Sequence, residues 1–81
     1  GHQAIILRNG KRFAVRPDAV SLATTSSDYS GIVRSCAFQG DRFEVVVDVD
    51  DAPWRFFHVD AVDVGARVEL ALDSTRIAEL R

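Results

Sequence analysis

Methionine is absent from these 81 residues, cysteine occurs once and proline twice. The single thiol, Cys36, cannot close an internal disulfide and sits in no zinc-type spacing, so a reducing, intracellular compartment is the simpler expectation. Apolar runs of the roughly 18 residues that span a bilayer as a helix are missing too. There is no basic excess: 10 Lys and Arg stand against 12 Asp and Glu, for a formal net charge of −2. Nucleic-acid binders usually carry a basic face and a high isoelectric point, whereas the pI here is near 5.5. Strong binding driven by a phosphate backbone is therefore not expected.

The inventory for catalysis is as thin. A nucleophile needs a base beside it that is itself oriented, and His58 is the one histidine outside the first residues. Asp60 shares its face in an extended strand, but no Gly-x-Ser-x-Gly elbow accompanies the pair. No phosphate-cradling glycine loop occurs; Gly31, Gly40 and Gly65 stand alone and read as turns or bulges. His58 and Cys36 with scattered carboxylates make no metal pattern, and Asp48, Asp50 and Asp51 read as a solvated strand end.

What is present is β-pattern. Hydrophobic residues make up 47% of the chain, enough for one small core. A domain of this size buries roughly 60% of its unfolded surface, so modest stability is expected. Gly1-His2 resembles a tag scar, so residues 1–3 are read as scar and leader and 4–81 as one domain. Gly31–Asp50 dominates the pattern: strands Gly31–Phe38 and Arg42–Asp50 joined at Gln39–Arg42. Phe43, Val45, Val47 and Val49 share one face, and Arg42, Glu44, Asp48 and Asp50 the other. The first of these strands is less regular, with Ile32, Cys36 and Phe38 on one parity and Val33 and Ala37 on the other, which predicts a bulge or burial on both faces.

Upstream, Ala4–Leu7 and Arg12–Arg16 flank Asn9-Gly10, a pair that favours a tight hairpin turn. Pro17 ends that strand, Val20–Ala23 is a short strand candidate, and Thr24–Ser30 reads as an exposed polar connection. Downstream, Asp50–Pro53 reads as a turn and Trp54–Val59 as a dense aromatic strand. Trp54, Phe56 and His58 fall on one face, Arg55, Phe57 and Val59 on the other, which predicts a core side and a contact side. Arg67–Leu72 alternates, Asp73–Arg76 turns, and Ile77–Leu80 is a last strand or turn. Short strands with frequent turns predict a small β-barrel or sandwich. Phe38, Phe43, Trp54, Phe56 and Phe57, interleaved with Arg34, Arg42 and Arg55, read either as core and interface or as a stacking platform for single-stranded nucleic acid.

Phe13–Ala23, with its Arg-Pro-Asp, resembles a segment that follows the nucleotide-binding domain in ATPase subunits of bacterial ABC importers. Gly31–Phe43 resembles that family's Gly-x-Val, aromatic, Gly-Asp stretch, and Val64–Asp73 its closing Gly-x-x-Val-x-Leu-x-Leu-Asp. Ser74–Ile77 stands where the family often has Pro-x-Arg-Leu. Ser74 departs from the frequent proline, and Gln39 stands where an aliphatic residue is common. On these motifs the chain is similar to the transport-associated OB, or TOBE, domain, from about Ala4 to Leu80.

The resemblance implies an all-β fold: a small five-stranded OB-like barrel with an extra N-terminal hairpin. It implies a non-catalytic regulatory and dimerisation domain at the C-terminus of an ABC importer ATPase subunit, one that senses a solute or a regulatory protein. The domain itself would hold no cofactor, ATP and magnesium belonging to the parent ATPase. Its partners would be its twin, the transporter's membrane subunits through the parent, and that solute or regulatory protein, with the complex on the cytoplasmic face of the cell membrane. Contact residues are expected among Trp54, Arg55, Phe56, Phe57 and His58, together with Arg16 and Asp18, for which a local salt bridge is the leading reading. The alternative is a free-standing OB-type module for single-stranded nucleic acid, using the Phe56/Phe57 strand.

Overall fold

The computed structural model describes residues 4–80, so the expectations for Gly1–Gln3 and for Arg81 fall outside the described residues. The strands are β1 (Ala4–Arg8), β2 (Lys11–Val15), β3 (Val20–Leu22), β4 (Tyr29–Phe38), β5 (Phe43–Val49), β6 (Ala52–His58), β7 (Arg67–Leu72) and β8 (Ala78–Leu80). Two 3-10 turns, Pro17–Ala19 and Ser74–Arg76, complete the described secondary structure, which includes no α-helix. As expected, the fold is all-β: a five-stranded sheet in the order β3-β7-β4-β5-β6, nearly closed into a barrel, beside a smaller sheet. Closure comes from β3 and the Pro17–Ala19 turn packing against β6, which brings the two ends of the sheet together.

The extra hairpin is β1 with β2, in the register Arg8↔Lys11 to Ala4↔Val15. Asn9 and Gly10 both take positive φ, 54° and 75°, the turn that matches strand twist. The chain end returns to this hairpin: β8 pairs with β2, giving a three-stranded sheet β1-β2-β8. Ala4, Ile6 and Val15 on its inner face join the barrel core of Val33, Val45, Val47, Trp54, Phe56 and Leu70. Complete burial of a side chain such as Phe56 stabilises by about 1.5–3 kcal/mol, so these few residues carry much of the fold.

The predicted irregularity in β4 is a bulge. Val33 pairs with Val47 and Ser35 with Val46, leaving Arg34 as the extra residue. Val33 and Cys36, three apart in sequence, therefore both face residues of the inward set, Val47 and Val45. The loop before β7 is tied to this bulge, Val33 N–H donating to Ala66 O at 2.9 Å and Gly65 N–H to Val33 O at 2.8 Å.

Several boundaries differ from the sequence expectation. Strand β4 begins at Tyr29 rather than Gly31, because Tyr29 and Ser30 pair with Leu70 and Glu69 of β7. Strand β5 covers Phe43–Val49, leaving Arg42 and Asp50 in turns. The turn after it is Asp50-Asp51 alone, at φ 49° and 67°, and Ala52 and Pro53 already belong to β6. Pro53 fits there because β6 ends the sheet, so its missing N–H need not break a ladder. Val59 falls just past β6 and is exposed.

Gly31 serves close approach rather than a turn. A Cβ there would lie 2.8 Å from the Asp48 carbonyl carbon and 2.8 Å from Val47 Cγ1, with the Asp48 oxygen nearer still.

Candidate functional surfaces

Arg16 and Asp18 meet the end of the chain in one ionic clasp. Pro17 opens its turn at the first position, where a missing N–H is harmless, and Ala19 O accepts from Asp73 N–H at 2.8 Å. This brings the two 3-10 turns together. Arg16 Nε lies 3.7 Å from Asp18 Oδ1, Arg76 Nη1 donates to Asp18 Oδ2 at 3.4 Å, and Arg76 Nε lies 3.3 Å from Asp73 Oδ2. Asp73 also caps its turn, accepting from Thr75 N–H at 3.0 Å and from Thr75 Oγ1 at 2.6 Å. The Thr75 hydroxyl above all, then the Thr75 amide, with Arg76 adding to them, hold the Asp73 carboxyl below the usual aspartate range. All four ionic side chains are well exposed, so the clasp fixes geometry more than it stabilises. The local Arg16–Asp18 bridge is present as read, and Arg76 extends it.

The aromatic strand divides otherwise than an interface would need. Trp54 is 2% exposed and its ring centroid lies 5.0 Å from that of Tyr29, while Phe56 is 0% exposed. Both are core side chains, which corrects their expected role as surface contacts. Parity grouped them rightly with His58, but only the covering β1–β2 hairpin and β3 decide that this face is inward. A stacking platform through Phe56 is removed by the same burial. Arg55 is exposed, and Phe57 and His58 are half-buried.

Around Phe57 the hairpin tip gathers a surface patch. The Arg42 guanidinium lies 3.9 Å over the Phe57 ring, a cation–π contact, and these two with His58 and Val59 line a shallow recess of about 300 Å³. Next to it Phe38, 64% exposed, packs against Phe43 in a tilted pair with centroids 5.1 Å apart. A second recess, about 430 Å³, lies along the loop Thr25–Asp28 with Ala23 and Ala71. Its Ser27 hydroxyl is engaged structurally, donating to Leu70 O and accepting from Tyr29 N–H at 3.2 Å.

Sequence reading missed one polar cluster altogether. Arg8 Nη1 donates to Ser74 Oγ at 3.1 Å and Nη2 to Tyr29 Oη at 3.3 Å, joining three segments distant in sequence. Nothing local signals such a meeting. Among the described residues, no group of three His, Cys, Asp or Glu side chains converges as a metal site.

These features define an OB-like barrel domain. The sequence pattern of the TOBE domain matches residues 13–78, and the chain belongs to the TOBE domain family. That makes it a transport-associated OB-type domain, a non-catalytic class. No curated protein matches it. The Arg-Pro-Asp and Leu-x-Leu-Asp motifs that carried the resemblance are the two halves of the clasp.

Proposed function

We propose that this domain is the regulatory and dimerisation end of an ABC importer's ATP-binding subunit. One observation carries the reading: a TOBE match over residues 13–78 whose first and last motifs meet in the Arg16–Asp18–Asp73–Arg76 clasp. ATP and magnesium then belong to the nucleotide-binding part of the parent polypeptide, and this domain takes no part in hydrolysis. The parent pairs with its twin, sits on the cytoplasmic face of the membrane against the transporter's membrane subunits, and relays the state of a solute or a regulatory protein. The exposed patch of Arg42, Phe57, Val59 and Phe38 supports an interface role, since clustered aromatics with arginine favour protein contacts.

The test compares the intact parent polypeptide with a version lacking residues 4–80, by sedimentation with ATP bound. At least a tenfold weaker self-association of the truncated form is expected. Equal association, together with unchanged control of uptake, would refute the reading. For the solute-sensing part, thermal shift of the intact parent against sugars, polyamines and oxyanions applies, because a ligand preferring the folded state raises Tm. A flat panel would remove direct sensing and leave protein regulators.

A further inference from the structure

The free edge of β1 and the groove beside it form an arrangement that neither the clasp nor the hairpin tip accounts for. Among the described residues, strand β1 has one ladder neighbour, β2. In a hairpin closed by the two residues Asn9-Gly10, Arg8 and Lys11 exchange both backbone bonds, and so do the pairs at every second position. Ile5 and Leu7 therefore point their N–H and C=O groups away from β2. A groove of about 280 Å³ runs there, bordered by Ile5, Ile6 and Leu7 on one side and by Tyr29, Ala52 and Trp54 on the other. Three consecutive residues of a strand alternate faces, so all three border one groove only when it follows the strand's edge. Ile5 and Leu7 are 49% and 74% exposed, an unusual investment of apolar surface for an open edge.

Charge specifies the occupant. Arg8 is half-buried, its guanidinium held by the hydroxyls of Tyr29, which lines the groove, and of Ser74. No carboxylate among the described residues lies within ion-pair distance of it. Neutral hydroxyls fix a cation's geometry without neutralising it, which prepares it for an incoming carboxylate. Asp50, in the groove wall, likewise has no cationic partner among the described residues. A second copy of β1 does not answer this pattern, since Ala4–Gly10 contains no acidic residue.

We propose that β1 accepts an extended segment of a partner protein as an added strand, with apolar side chains at alternate positions and an acidic residue reaching Arg8. Main-chain bonds to Ile5 and Leu7 supply the affinity, and Arg8 with Asp50 sets the polarity of the incoming strand. The inference stands on this geometry and holds whatever the parent polypeptide does.

The test uses the isotope-labelled chain and a synthetic heptapeptide of alternating valine and threonine, with glutamate at one end and lysine at the other, made in both orders. One order should shift the Ile5 and Leu7 amide resonances saturably and slow their hydrogen exchange. Replacing its glutamate by glutamine should weaken binding at least tenfold. Arg8→Gln should bring the glutamate peptide to the level of the glutamine peptide and leave the latter unchanged. Leu7→Asp, at a largely exposed position, should abolish binding of the glutamate peptide without unfolding the chain. Absence of shifts at millimolar peptide, equal binding of glutamate and glutamine forms, or shifts of Ile5 and Leu7 that grow with chain concentration alone would each overturn the proposal. The last would assign the edge to a second copy.

Discussion

Gly31→Ala is the sharpest perturbation the fold offers. Gly31 lies in β4 opposite Val68 of β7, one residue before the Ile32↔Asp48 pair with β5. Its φ is not in the left-handed region, so alanine brings no intrinsic backbone strain and the effect is purely steric. The added methyl would sit 2.8 Å from both the Asp48 carbonyl carbon and Val47 Cγ1. Carbon atoms rest at about 3.5–4.0 Å, so roughly 1 Å of separation must open between two central strands. Overpacking costs about 1–3 kcal/mol when side chains yield, and occasionally more. Here backbone must yield beside a fully buried valine, so a loss of at least about 3 kcal/mol is expected. A domain of this length holds roughly 4–12 kcal/mol in all. Each kcal/mol corresponds to about 4–8 °C, so Tm should fall by at least about 12 °C. Urea and thermal unfolding followed by Trp54 fluorescence would measure it, since Trp54 is the one tryptophan and is buried. Gly40→Ala is the control: its site has open space but a φ of 101°, so only a local turn penalty of about 1–2 kcal/mol applies. A Gly31→Ala loss no larger than that of the control would refute the close-approach argument.

Two further predictions follow from the core and the clasp. Trp54→Ala should destabilise by about 3–5 kcal/mol, the usual range for a buried aromatic, and any self-association of the folded remainder should be unchanged in sedimentation. Weakened association at full stability would instead return Trp54 to an interface. Asp73 has its carboxyl pKa depressed in the folded state, so the stability it contributes is complete above the unfolded aspartate value and is lost as pH falls through the lower folded value. Asp73→Asn should therefore flatten the fall of Tm with acid below about pH 4, as Tm measured against pH would show, and identical acid limbs would contradict the clasp.

Local chemistry made much of this fold readable and left its long-range parts hidden. Asn9-Gly10 and the alternation of Phe43, Val45, Val47 and Val49 are properties of neighbouring residues, and both hairpins formed where those patterns lie. The irregular parity of Ile32–Phe38 left a bulge or burial on both faces open, and the structure has the bulge, with Arg34 its extra residue. By contrast, Tyr29 and Ser30 look like loop because the partner that makes them strand, β7, lies some forty residues on. The pairing of β8 with β2 was equally silent, as was the meeting of Arg8 with Tyr29 and Ser74. Trp54 and Phe56 were placed on the correct common face, but with bulky residues on both sides of the strand, sequence offered no reason to choose the inward one. The Arg16–Asp18 bridge was readable because its partners lie two residues apart, whereas its extension to Arg76 and Asp73 joins opposite ends of the chain and carries no local signal.

In the role proposed above, this TOBE domain closes the ATP-binding subunit of an importer. Magnesium-dependent ATP binding and hydrolysis, measured on the intact parent polypeptide and on the same polypeptide cut before Phe13, test it most directly. Both should bind ATP, and only the intact form should have its hydrolysis restrained by the regulatory ligand or protein. A parent polypeptide that binds no ATP would contradict it.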